Sequence, residues 1–286
     1  MIVTRTPAGV SNEHLFHDSE AVVYVEGGES TRALNPAAST DVLFWRGLFD
    51  TFMAGRRFHF KPRCGKHTLL KLADGMVDGT ITRAVVCIDR DHDHLRGLRQ
   101  TLGVLYTYGY SWENDVWCSD VVEEAFYTLC GVDRNSVTVR ESVRDALAKF
   151  ASRMRWPVYA DVLAALRTES VIPRGNLKCV VPPGSGWPAI DRGFLLGCVR
   201  EARARSAGVT VRLPKAIRVE LWRDVYGHVL GYFCYRVLAD LLKTHSGQNI
   251  TRHVADAVAI KVSRESMPLD ILNHHQAQFA RLTISQ

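Results

Sequence analysis

Two rhythms of apolar and polar positions divide this 286-residue chain near residue 130. In the first part, short unbroken apolar runs alternate with helical periodicities. Ala21-Val-Val-Tyr-Val25 and Ala84-Val-Val-Cys-Ile88 contain no charged break, the pattern of strands buried on both faces of a parallel sheet. Between them the spacing of Val42, Trp45, Phe49 and Phe52 predicts a helix over about Asp41 to Met53, after a Gly-, Ser- and Pro-rich loop from Gly27 to Thr40. A less buried strand over Arg57 to Lys61, closed by Pro62, and a helix over Thr68 to Met76 complete this stretch. A fourth strand is read over Leu105 to Tyr110, then a helix over Val116 to Leu129 capped by Asn114 or Asp115.

From Gly131 on, the alternation stops. Val143, Ala146, Leu147, Phe150 and Met154 make one helical stripe, and further helices are read over Tyr159 to Leu166, Phe194 to Arg205, Leu221 to Lys243 and Ile250 to Ile260, with a loop over Val180 to Gly186. The expectation is an α/β domain with a mostly parallel sheet flanked by helices over 18–132, after a polar lead-in over 1–17, and a mainly helical domain over 133–286.

Composition narrows the class. The seven cysteines are odd in number and form no Cys-x-x-Cys pair, which favours reduced thiols in a cytoplasm over a disulfide framework or a zinc ribbon. The first residues show no apolar core of signal-peptide length, and the most hydrophobic long window, Leu221 to Leu242, carries Arg223, Asp224, Arg236 and Asp240. No membrane span is expected there. The net charge of +6 is concentrated: Arg192 to Arg223 holds eight Lys or Arg residues against Glu201 and Glu220, a net +6 by itself. A basic segment on an otherwise balanced chain points to a polyanion partner, with a solvated helix face as the plainer reading.

Acids stand where the strands should end. Glu26 closes the first run and is followed by Gly27-Gly28; Asp89-Arg-Asp91-His-Asp93 follows the second. In a parallel sheet the carboxyl ends lie on one edge, where open α/β sheets place ligands, and carboxylates two apart on an extended chain face one side. Glu113 falls at the end of the fourth expected strand. The Asp-x-Asp-x-Asp run departs from a calcium loop at His94 and Gln100. His92 and His94 are a poor zinc pair, and Gly65-Lys66-His67-Thr68 lacks the earlier glycine of a phosphate loop.

Val22-Val-Tyr-Val-Glu26-Gly27 together with Val85-Val-Cys-Ile-Asp89-Arg-Asp91 resembles the TOPRIM domain of topoisomerases, primases and OLD-family nucleases. The Gly65-Lys66 segment, Tyr110-Ser-Trp-Glu113-Asn114 and Val225-Tyr-Gly227-His-Val-Leu are similar to an OLD-like TOPRIM family of prokaryotic defence proteins, which includes the nuclease subunit of the PARIS anti-phage system; His228 stands where that family carries a lysine. The resemblance implies a general acid/base role for Glu26, Mg²⁺ (or Mn²⁺) held by Glu26, Asp89 and Asp91 with Glu113 as a further contact, and Lys61 or Lys66 against phosphate charge. It also implies hydrolysis of RNA such as tRNA, or of DNA, in abortive infection, under control of an ABC-type ATPase. A homodimer is open. The alternative expectation is a non-catalytic TOPRIM module that docks on the ATPase. No aromatic platform for unpaired bases is legible in the sequence.

Overall fold

The computed structural model describes residues 6–27, 39–63, 65–97, 101–134, 139–175, 177–181, 187–205 and 218–284. Gly28, Cys64, Gln100, most of the expected loops at 27–40 and 180–186, and Arg212 and Lys215 lie outside the described residues. In chain order the first elements are α1 (Pro7–Ser11), β1 (Ala21–Glu26), α2 (Thr40–Phe52), β2 (Phe58–Arg63), α3 (Lys66–Val77), β3 (Ala84–Ile88) and β4 (Val104–Tyr106). Then come α4 (Trp112–Val116), α5 (Ser119–Cys130), α6 (Arg140–Ala165), β5 (Val180–Val181), β6 (Ala189–Ile190) and α7 (Arg192–Arg205). The last are α8 (Leu221–Asp224), α9 (Gly227–Ser246), α10 (Arg252–Ser263) and α11 (Leu269–Phe279). Among the described residues no helix is long and apolar enough to cross a membrane.

The chain forms two compact units, one of residues 1–89, 99–108 and 268–286, the other of 90–98 and 109–267. They do not follow the boundary expected at 132/133: α4 and α5 belong to the second unit, and α11 returns to the first.

The first unit is an α/β layer with a four-stranded, all-parallel sheet in the order β2-β1-β3-β4. The two unbroken apolar runs are its central strands, with Ala21 to Val25 and Ala84 to Ile88 all buried. From β1 the chain crosses outward to β2 and then back past β1 to β3. Right-handed crossovers in opposite directions place α2 and α3 on opposite faces of the sheet. Phe49 of α2 packs edge-on against Phe58 and Phe60 of β2 and against Phe279 of α11. Pro62 lies within β2 instead of closing it. It can do so because β2 is an edge strand and no neighbour needs the missing amide. At the other edge, Gln278 of α11 receives the Tyr106 amide at 2.7 Å and donates to the Tyr106 carbonyl at 2.8 Å. One side-chain amide thus does for β4 what a further strand would do, blunting an edge open to pairing.

The fourth strand is shorter than its alternation suggests and ends at Tyr106. Past it, the Gly109 amide donates to Asp115 Oδ1 at 2.6 Å and the Tyr110 amide to the Arg223 carbonyl at 2.7 Å, so this backbone is satisfied away from any sheet.

The second unit is helical, with a two-stranded antiparallel ribbon of β5 and β6. Its central helix is α9, whose Val229, Leu230, Phe233, Cys234, Val237, Leu238, Leu241 and Leu242 are all buried against α4, α5 and α10. The expected single helix over 116–129 is two, α4 and α5, broken where Trp117 and Cys118 are extended. Ser111 is the N-cap of α4, and Asn114 completes a capping box from inside the first turn. Its Oδ1 accepts the Ser111 amide at 3.1 Å, and its Nδ2 donates to the Trp222 and Val225 carbonyls at 2.7 and 3.0 Å.

Candidate functional site

The first unit brings together two of the acids read from the sequence. Val25 pairs with Cys87 in the register of β1 and β3, which sets Glu26 and Asp89 at the carboxyl ends of adjacent parallel strands. The Asp89 amide donates to Glu26 Oε2 at 3.1 Å. Strand order reverses between β1 and β3, since β2 lies on one side and β4 on the other. That reversal is where open α/β sheets bind ligands. Both side chains are half-buried.

Gly27 follows directly, with φ at +112°, and a Cβ there would come within 2.4 Å of the Asp41 carboxyl carbon. The turn therefore needs glycine for conformation and for the approach of Asp41, an acid in the first turn of α2.

Lys61 is placed elsewhere than expected. It lies opposite Tyr24 in the register, and its ammonium forms an ion pair with Glu13, whose other oxygen accepts the Tyr24 hydroxyl at 2.9 Å. Glu13 is only 2% exposed, and a buried carboxylate without partners would be costly, so the half-buried Lys61 serves the fold as its counter-charge. Lys66 is the first residue of α3, half-buried, three residues past the end of β2 and so on the same sheet edge as Glu26.

The division between the units falls between Asp89 and Arg90, so Asp91 and Glu113 are described with the second. Asp91 is in the left-handed region (φ 50°) and its amide donates to the Tyr110 carbonyl at 2.7 Å. Burial, then the Asp91 carboxylate, pushes the Tyr110 phenol well up. Between the two aspartates Arg90 turns inward. It is 1% exposed and donates to Asp224 Oδ1 at 2.8 Å and to the Arg223 and Gly109 carbonyls at 3.2 and 3.3 Å. An arginine flanked by acids reads as a surface residue in sequence; here it anchors the turn.

Glu113 is not at a strand end. It sits in the first turn of α4, 1% exposed, receiving Ser111 Oγ at 2.5 Å and lying 2.5 Å from His228 Nδ1 and 3.6 Å from Arg252 Nη2. Burial raises its carboxyl, but its interactions with His228, Ser111 and Arg252 outweigh burial and leave it below its ordinary value. The approach of α9 depends on Gly227, where a Cβ would stand 1.9 Å from Ser111 Oγ, and Gly231, where it would stand 2.9 Å from Glu113 Cγ. His92 and His94 are also internal: His92 Nε2 lies 3.4 Å from Asp161 and His94 Nε2 3.7 Å from Asp224.

Among the described residues no group of three or more His, Cys, Asp and Glu side chains could hold a metal ion between them. The pair Glu26 and Asp89 nonetheless suits Mg²⁺, which takes hard oxygen donors and commonly one or two carboxylates, with water and substrate phosphate completing its octahedron. No protein-family model matches the chain, and no curated protein matches it.

Proposed function

We propose that the chain is a Mg²⁺-dependent nuclease of TOPRIM type, hydrolysing phosphodiester bonds in RNA or DNA as a toxic effector of prokaryotic antiviral defence. The observation that carries the reading is the pairing of Glu26 and Asp89 at the strand-order reversal of an all-parallel sheet. Glu26 and Asp89 stand at the ends of neighbouring strands, joined through the Asp89 amide, and one or two carboxylates at such a position are the usual protein donors to Mg²⁺.

Glu26 and Asp89 would hold the ion, with Asp91 two residues further along the chain. Bound there, Mg²⁺ supplies Lewis-acid polarisation of the phosphoryl group and lowers the pKa of a coordinated water. Glu26 accepts the proton of the attacking water as general base. Lys66, at the same sheet edge, offsets the negative charge that develops on the phosphoryl oxygens. Asp89 also orients Glu26 through its own backbone amide, so the general base has a defined position before substrate arrives.

The first test is incubation of the purified chain with total cellular RNA and with plasmid DNA, in Mg²⁺ and in EDTA. Cleavage of at least one in Mg²⁺, stopped by EDTA, is expected; neither substrate cut under any condition contradicts the reading. By the same resemblance an ABC-type ATPase restrains the nuclease, and co-expression with a neighbouring ATPase followed by pull-down should recover a complex.

A further inference from the structure

Two clefts flank Trp156 in the second unit. One, of about 530 Å³, is lined by Arg153, Trp156, Pro157, Arg192 and Leu195 among others. The second, also about 530 Å³, includes Arg155, Trp156, Tyr159, Val219 and Leu221. Ser152 lies in both, and Ser152, Trp156 and Tyr159 share one stripe of α6 by their i, i+4, i+7 spacing. The core-facing residues of that helix are Phe150, Met154, Pro157 and Val158, so Trp156 and Tyr159 stand on its outer side.

Trp156 is 52% and Tyr159 42% exposed. Among the described residues neither ring stacks on another ring. Trp222 shows the contrast, since its exposed ring lies parallel to Phe150 with centroids 5.7 Å apart and so completes the core. Among the described residues Arg153, Arg155 and Arg192 line the clefts and no carboxylate does, and none of the three guanidiniums is in an ion pair. Pro157 lies inside the continuous helix α6 and has no amide hydrogen. The Arg153 carbonyl therefore lacks its usual i+4 helical donor.

We infer that this face of α6 and α7 binds a single-stranded nucleic acid, with unpaired bases stacked on Trp156 and Tyr159 and the flanking phosphates held by Arg153, Arg155 and Arg192. The inference deepens the nuclease reading by naming the class of substrate, and it rests on that reading only for there being a nucleic-acid substrate. Guanidiniums that are not in ion pairs select a polyanion, and bare rings select one whose base faces are free. A duplex offers no such faces, because its bases are already stacked on one another.

The test is fluorescence anisotropy of the full chain in EDTA, where no cleavage competes, with a labelled 12-nucleotide RNA, the same DNA strand and the DNA duplex. Single strands should bind more tightly than duplex. Trp156→Leu, which keeps aliphatic bulk without the ring, should weaken single-strand binding roughly 5- to 150-fold, and Trp156→Phe should restore most of it. A 4-thiouridine oligonucleotide irradiated with the unsubstituted chain should crosslink to the peptide holding Trp156 and Tyr159, which decides the matter even if Trp156→Leu folds poorly. Unchanged affinity in folded Trp156→Leu, equal binding of duplex, crosslinks confined to other peptides, or loss of a protein partner as the only effect of Trp156→Leu each overturns the inference. Cleavage that persists in Mg²⁺ with any of these outcomes leaves the nuclease reading standing, and base stacking without cleavage does the reverse.

Discussion

Asp256 shows how one buried carboxyl couples the second unit to pH. Burial first, and then the Glu113 carboxylate, push it up to about 7 against the pull of Arg252. An unfolded aspartate titrates near 4. Between about pH 4 and 7 the folded chain therefore keeps a proton that the unfolded chain has lost, so the stability this group contributes is present at low pH and declines as pH rises through the window. Asp256→Asn mimics the protonated form, and urea unfolding at pH 4.5, 6 and 8 should show the variant gaining on the wild type as pH rises; parallel curves would count against the assignment. His94 runs the other way. Burial depresses it to about 4, so its contribution is lost as pH falls from 6.5 toward 4. Glycine gives a second contrast at this scale. Gly227→Ala should cost about 1 to 3 kcal/mol because its Cβ meets Ser111, Asn114 and Glu113 within 3 Å, whereas Gly197→Ala in α7 meets nothing within 4 Å and should stabilise by up to about 1 kcal/mol. Chemical denaturation of both variants checks the opposite signs. The sequence shows both glycines alike, because the difference lies in side chains over a hundred positions away.

Among elements, the central strands and α2 were legible because local pattern and tertiary burial agree: the short apolar run at 84–88, β-branched at Val85, Val86 and Ile88, suits a strand covered on both faces. The end of β4 was not. Tyr108 and Tyr110 keep the alternation of a strand, yet the Gly109 and Tyr110 amides are taken by Asp115 and Arg223, partners that no local period reveals. Glu113 was misplaced for the same reason, since its position was counted from a strand that stops early. The exposed rings on α6 were hidden differently: periodicity marks which residues a helix can bury, while Trp156 became conspicuous only once its neighbours were known. Arg200, Arg203 and Arg205 of α7 are exposed, as the charge pattern suggests. Replacing all three with alanine should flatten the slope of log affinity for nucleic acid against log salt by about 0.7 to 0.9 for each phosphate that is no longer neutralised, while cleavage at saturating substrate survives. An unchanged slope would remove Arg200, Arg203 and Arg205 from the binding surface.

At the level of the whole chain, sequence order and spatial grouping diverge. Residues 90–98 leave the sheet unit between two of its strands, and α11 rejoins it at the far end of the chain. Composition alone suggested a boundary at 132/133, because helical periodicity marks secondary structure and not the unit to which a helix belongs. The acids at 26 and 89 were identifiable in sequence as strand ends, and parallel pairing of adjacent strands brings them together. If these two carboxylates form a metal-dependent catalytic centre, neither can be neutralised without loss of the reaction. The decisive comparison is the Mg²⁺-dependent cleavage rate of Glu26→Gln and Asp89→Asn beside the wild type, at matched melting temperature. Cleavage should be lost in both variants, with melting unchanged or slightly raised as like-charge repulsion is relieved; wild-type rates in either folded variant would rule the centre out.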